Sequence, residues 1–137
     1  MKTTRLVAVI PLCLAIESWA GQTESADVQV DLEFRSAQGD LATARFSDNE
    51  AALIGCGTRT FSQGADEFLF GFCQATDAEG VNFTCVTENP VLVDAIQAIS
   101  SYAFITFGWD EAGNCTRVGS STQSLYIPDF RDKKSKK

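Results

Sequence analysis

The sequence predicts a mainly-β fold: an antiparallel sandwich or strongly curved sheet of about seven or eight strands, with one short helix over about 90–100. Three observations predict it. The pattern Asp-x-x-Gly recurs between apolar runs, at Asp77-Ala78-Glu79-Gly80 and Asp110-Glu111-Ala112-Gly113. Asp can hydrogen-bond its own turn backbone and Gly can take positive φ, so each reads as a three-residue hairpin loop. Apolar residues alternate with polar ones through several short runs, the period of a strand with one buried face. Strands do not alternate with helices, so parallel crossover units are not expected.

Residues 1–20 read as a secretory signal peptide. Lys2 and Arg5 precede the apolar run Leu6–Ile16, and Ser18-Trp19-Ala20 offers a small-x-small cleavage site. The run is too short to span a bilayer, and Leu12 before Cys13 argues against lipidation. Residues 21–26 form a polar leader expected to be flexible, and 27–128 a single disulfide-stabilised domain.

Val28, Val30, Leu32 and Phe34 alternate with charged and polar residues. Reading Ser36-Ala37-Gln38-Gly39 as the turn puts Phe34 opposite Ala42, Leu32 opposite Ala44 and Val30 opposite Phe46. Asp31, Glu33, Thr43 and Arg45 then share the solvated face. Ala51–Thr60 is the next strand, turning through Ser62-Gln63-Gly64-Ala65-Asp66 into the apolar stretch from Phe68. From the Asp77 turn, Cys73 faces Cys85 and Ala75 faces Phe83. Leu69, Gly71, Cys73 and Ala75 share a face with Val81, Phe83 and Cys85, while Phe68, Phe70 and Phe72 point the other way. A strand apolar on both sides predicts cover on both sides.

Asn89 can cap a helix and Pro90 suits its first position. Leu92, Ala95, Ile96 and Ile99 make one apolar stripe. Tyr102–Trp109 and Asn114–Val118 flank the second Asp-x-x-Gly turn. On the first of these strands Ala103, Ile105, Phe107 and Trp109 share one face, and Tyr102, Phe104 and Thr106 the other. A last strand is expected over Gln123–Ile127, ended by Pro128. Residues 129–137 form a basic tail expected to be disordered.

Four cysteines follow Cys13: Cys56, Cys73, Cys85 and Cys115. An even count in an exported chain reads as two disulfides, and without a Cys-x-x-Cys pair zinc is not expected. With Gly64-Ala65 as a two-residue turn, Cys56 falls opposite Cys73, on a pair with short Cα separation. The pairing expected is therefore Cys56–Cys73 and Cys85–Cys115.

The chain has no histidine, which excludes Ser–His–Asp and Cys–His catalysis and His-ligated metals. Lysine is absent from 21–128, so a Schiff base or Ser–Lys dyad has no residue there. No phosphate-binding Gly loop is present. Carboxylates remain: Asp66/Glu67, Asp77/Glu79 and Asp110/Glu111 lie in or beside turns, where turn formation explains them. Asp110–Asn114 is too short of ligands for calcium. No cofactor is expected.

The net charge of the whole chain is −7, and residues 21–128 hold four arginines against fifteen acids, a net of −11. Nucleic acid and anionic membrane are poor partners for such a body, and a cationic partner suits it better; exposed aromatic rings could stack on a glycan or dock a protein. Trp109 at a strand end, Tyr102 and Tyr126 are the aromatics expected at the surface for binding. Asn82-Phe83-Thr84 and Asn114-Cys115-Thr116 match the N-glycosylation pattern. These features point to a small secreted or periplasmic, non-enzymatic binding module, such as an inhibitor of a secreted enzyme, with no membrane insertion after signal removal. The alternative is a small polysaccharide hydrolase using two converging carboxylates.

Overall fold

The computed structural model describes residues 23–128; the signal peptide expected at 1–20 and the tail at 129–137 lie outside them. Within these, the two Asp-x-x-Gly loops are built alike. Asp77 donates its N–H to Val81 O and accepts from Gly80 N–H, and Asp110 does the same with Asn114 O and Gly113 N–H. Gly80 and Gly113 both sit at φ +84°, where a side chain would be strained. The fixed loops give the expected registers. Cys73 faces Cys85 and Ala75 faces Phe83, while Cys56 faces Cys73 through the two-residue loop Gly64-Ala65.

Seven strands form two antiparallel sheets. The first contains β1 (Gln29–Asp31), β2 (Ser36–Asp40), β6 (Phe104–Trp109) and β7 (Cys115–Ser121), in that spatial order. The second contains β3 (Leu53–Gln63), β4 (Asp66–Thr76) and β5 (Asn82–Thr87). One continuous core joins their inner faces: Ile54, Cys73, Ala75 and Cys85 from the second sheet, Ala37, Ile105, Phe107, Trp109 and Cys115 from the first. Phe83 and Trp109 stack across the sandwich with ring centroids 4.1 Å apart. Both expected disulfides are present, Cys56–Cys73 within the second sheet and Cys85–Cys115 between the sheets.

Helix α2 (Pro90–Gln97) starts as expected, with Pro90 in its first turn and Asn89 accepting from Val91 N–H. It ends three residues before Ser100. Val93 and Ile96 are its buried residues, and Leu92 and Ile99 pack at the margin. Gly71 lets the helix approach β4, for a Cβ there would lie 2.6 Å from Ile96 Cδ1.

Three expectations need correction. The first concerns the N-terminal hairpin. The chain reverses at 32–35, not at 36–39, because Asp31 Oδ1 accepts from Phe34 N–H at 2.8 Å and Arg35 takes the left-handed conformation at φ 47°. Val30 therefore faces Ala37, and Leu32 and Phe34 are exposed turn residues. The second strand expected at 42–46 is helix α1 (Leu41–Phe46). Asp40 caps it by accepting from Thr43 N–H, which commits Leu41 onward to helical geometry. The solvated face proposed for Asp31, Glu33, Thr43 and Arg45 goes with that strand. The ion pair found instead joins Arg35 to Glu111 at 2.7 Å.

The second correction is at the C-terminal end. Ser124–Tyr126 form a single 3-10 turn rather than a strand, with Tyr126 N–H bonding Gln123 O. Glu24 N–H donates to Leu125 O and Ala26 N–H to Asp40 Oδ2. The third correction is the outer face of β4, which nothing covers among the described residues.

Candidate functional site: the outer aromatic face

Every second residue of β4 from Asp66 to Thr76 points away from the core, and Phe68, Phe70 and Phe72 are three of them. Across the ladder Phe61 faces Phe68, Arg59 faces Phe70, Gly57 faces Phe72, and Val86 flanks Phe72 from β5. Phe61, Phe68 and Val86 are 58%, 47% and 46% exposed. The rings form a continuous row. Phe61 and Phe70 lie nearly parallel at 6.1 Å, Phe68 and Phe70 are 5.8 Å apart, and Phe70 and Phe72 6.4 Å. The Arg59 guanidinium lies over the Phe72 ring at 4.9 Å. Gly57 makes room for that ring, since a Cβ there would come within 3.1 Å of it.

Part of this face stands clear of the rest of the sheet. β5 pairs with β4 only from Gly71 to Thr76, so the five β3–β4 pairs from Arg59–Phe70 to Gln63–Asp66 form a two-stranded arm. Beside its root is an open groove of about 430 Å³, lined by Phe68, Phe70, Val86, Thr87, Glu88 and Asn114. The far edge of β5 is closed by the β6–β7 turn, through Val86 N–H donating to Gly113 O.

The aromatics expected to bind do not make this surface. Trp109 is 6% exposed, stacked on Phe83 and part of the core. Its strand end is roofed because Trp109 N–H bonds Arg35 O of the β1–β2 turn. Tyr126 is half-buried and lies on Phe104, with ring centroids 5.5 Å apart, over the outer face of the first sheet. Phe104 is itself half-buried there. Tyr102 is half-buried in the turn before β6, at φ 59°. The three are not one surface, since Trp109 is in the core, Tyr126 lies on Phe104 and Tyr102 is in a turn.

The carboxylate pairs sit at three separate places, one at the start of β4 and two on turns. Asp66 and Glu67 are consecutive strand residues and so point to opposite faces. Asp77 Oδ1 accepts from the N–H groups of Glu79 and Val81. Asp110 accepts from Ala112 N–H, Asn114 N–H and Asn114 Nδ2. The Asn114 side-chain bond, then the backbone ones, hold its carboxyl below the usual value of 3.8. Asn82 Nδ2 donates to Gly80 O, and both sequon asparagines are exposed. Among the described residues no group of three or more His, Cys, Asp or Glu could hold a metal ion. No helix there is long and apolar enough to cross a membrane.

The sequence carried a signal for the aromatic face that alternation alone does not decode. Phe68-x-Phe70-x-Phe72 faces Gly57, Arg59 and Phe61, and covering that side would take a third layer. Among the described residues one sheet covers the inner side and no long helix is left for the outer one. No family model matches the sequence, and no curated protein or solved structure matches it either.

Proposed function

We propose that this is an exported, non-enzymatic binding module that engages a partner protein through the outer aromatic face of β3 and β4. The observation that carries the reading is the row Phe61, Phe68, Phe70 and Phe72, the first two exposed and the last two half-buried, on the face of β3 and β4 opposite the one that gives Cys73 and Ala75 to the core. Contiguous apolar surface beyond a few hundred Å² marks interaction sites, and the largest apolar patch on a soluble monomer is often functional. At roughly 200 Å² per aromatic side chain, Phe61 and Phe68 alone leave about 200 Å² in water. Burying that area would contribute about 5 kcal/mol before the costs of association. Phenylalanine offers no hydrogen bond, so the face suits apolar protein surface better than a sugar, whose hydroxyls need polar partners.

Export is supported by two disulfides, which persist in oxidising compartments. A projecting two-stranded arm with aromatic flanks has the shape to enter a cleft, as an inhibitor of a secreted enzyme must. The hydrolase alternative gains no support from acids engaged in turn hydrogen bonds. The test is affinity capture from the extracellular fluid in which the protein occurs, with the wild-type chain beside F61S/F68S. The double variant should lose the partner while keeping its unfolding midpoint. A partner retained by that variant would move the binding surface elsewhere.

A further inference from the structure

We infer that the partner segment is a basic, apolar polypeptide, and that one of its Lys or Arg side chains lies in the groove between Phe68, Phe70, Val86 and Glu88. The inference rests on the binding role proposed for the aromatic face and names its partner class. Three observations carry it. First comes register. Thr87 is the last residue of β5 to pair with β4, opposite Gly71. One step further along the same count sets Glu88 beside Phe70, so the groove has an aromatic floor and a carboxylate in its wall, with Asn114 also lining it.

The second observation is charge. Residues 23–128 hold fifteen acids and four arginines. Arg59 is stacked on Phe72 and Arg35 is paired with Glu111. Asp66 stands at the arm tip on the same outer face as the phenylalanines. The face is therefore aromatic at its centre, where Arg59 already lies over Phe72, and acidic at two points of its edge. A second copy of this chain would bring another net charge of −7 against it, which like-charge repulsion opposes.

The third is the chemistry of the fit. Lys and Arg combine a methylene stem with a charged head, so the stem packs on rings while the head reaches a polar rim. The head is also attracted to ring faces, as Arg59 on Phe72 already illustrates within the chain. A neutral apolar side chain would fill the floor and leave Glu88 partly desolvated and without a counter-charge.

The experiment titrates the oxidised full-length protein with three short synthetic peptides sharing one leucine pattern, with Arg, Ser or Glu at the intervening positions. The Arg peptide should bind about tenfold more tightly than the Ser peptide, a difference of about 1.4 kcal/mol, and weaken as salt is raised. E88Q should lower its affinity about fivefold, the size of one exposed charge pair. F68S should lower affinity for the Arg and Ser peptides alike, and D48N, an exposed acid elsewhere, should change nothing. Equal affinity for the Arg and Ser peptides would overturn the inference while sparing the aromatic face as a binding surface. So would an E88Q variant indistinguishable from wild type. Failure to bind any peptide, with F68S-sensitive self-association or F68S-sensitive binding to phosphatidylcholine vesicles, would assign the face to a second copy or a lipid surface and overturn it too. The capture experiment with F61S/F68S decides the binding role separately.

Discussion

Asp40 shows how much one side chain can organise. It is 1% exposed, yet both its oxygens are engaged: Oδ1 accepts from Thr43 N–H and Oδ2 from Ala26 N–H, each at 2.7 Å. One carboxylate thus caps α1 and ties the N-terminal segment to the end of β2. Asp40→Ala would leave two backbone N–H groups without that acceptor, and should cost about 2–4 kcal/mol by urea unfolding. Asp40→Asn keeps one acceptor oxygen and should cost less; equal losses would show that the second oxygen contributes nothing. Asp110 makes a comparable set of bonds at the surface. Its Asn114 side-chain bond, with the backbone N–H groups of the loop, stabilises the charged form and lowers its folded-state pKa below 3.8. A group depressed in this way contributes stability above its unfolded pKa and loses it as pH falls through the folded one. The thermal midpoint of wild type should therefore exceed that of D110N by a constant margin above about pH 5, and the margin should shrink below about pH 4. A margin that grew on acidification would contradict this account.

The hairpins differ in how they are held, and so in how readable they were. The β4–β5 and β6–β7 loops close through bonds between residues at most four apart, so their four-residue motifs were enough to place them. The N-terminal hairpin depends on Asp31 and Asp40, two aspartates whose turn and cap roles look like ordinary polar positions in an alternating run. Alternation reports a period; it does not report where the chain reverses. Gly39 misled for a related reason. It is glycine because β2 approaches the Val28 backbone, whose Cα would lie 3.0 Å from a Cβ, and not because it turns. The uncovered face of β4 was legible in composition but needed a count of available layers. The β3–β4 arm gives this a dynamic consequence. Beyond Arg59–Phe70 it has no third strand, and Thr60, Ser62 and Leu69 on its other face are exposed. Cross-strand aromatic pairs worth about 0.2–1 kcal/mol each are its main support. Amides of 60–67 should exchange with deuterium well before those of 72–75, because the arm can open without breaching the core. Simultaneous exchange of both sets would mean that the arm opens only with the whole domain.

Across the whole molecule, the contact between the sheets relies on small residues. Ala37, Ala75, Ala103, Cys73, Cys85 and Cys115 fill much of the core, and Ile105, Phe107 and the Phe83–Trp109 stack supply the bulk. A domain of this size with so thin a core depends on covalent ties. The two disulfides differ in what they tie. Cys56–Cys73 joins neighbours in an eleven-residue ladder, with a sequence separation of 17, while Cys85–Cys115 spans 30 residues and joins the sheets. Chain entropy assigns each about 3–4 kcal/mol, because that cost rises only with the logarithm of loop length. Stability alone will therefore not separate them, but the packing next to each bridge should. Cys115 faces Trp109 across the β6–β7 ladder, and Cys85 lies two residues from Phe83. In a chain starting at Gly21, Trp109 is the single tryptophan. The paired variant C85A/C115A, which leaves Cys56–Cys73 without a third thiol to exchange with, should shift native Trp109 emission to the red as its stack with Phe83 loosens. C56A/C73A should lower the unfolding midpoint by a similar amount and leave native emission unchanged. If both variants shift emission equally, the core transmits strain between the sheets without the bridge, and Cys85–Cys115 acts only on the unfolded chain.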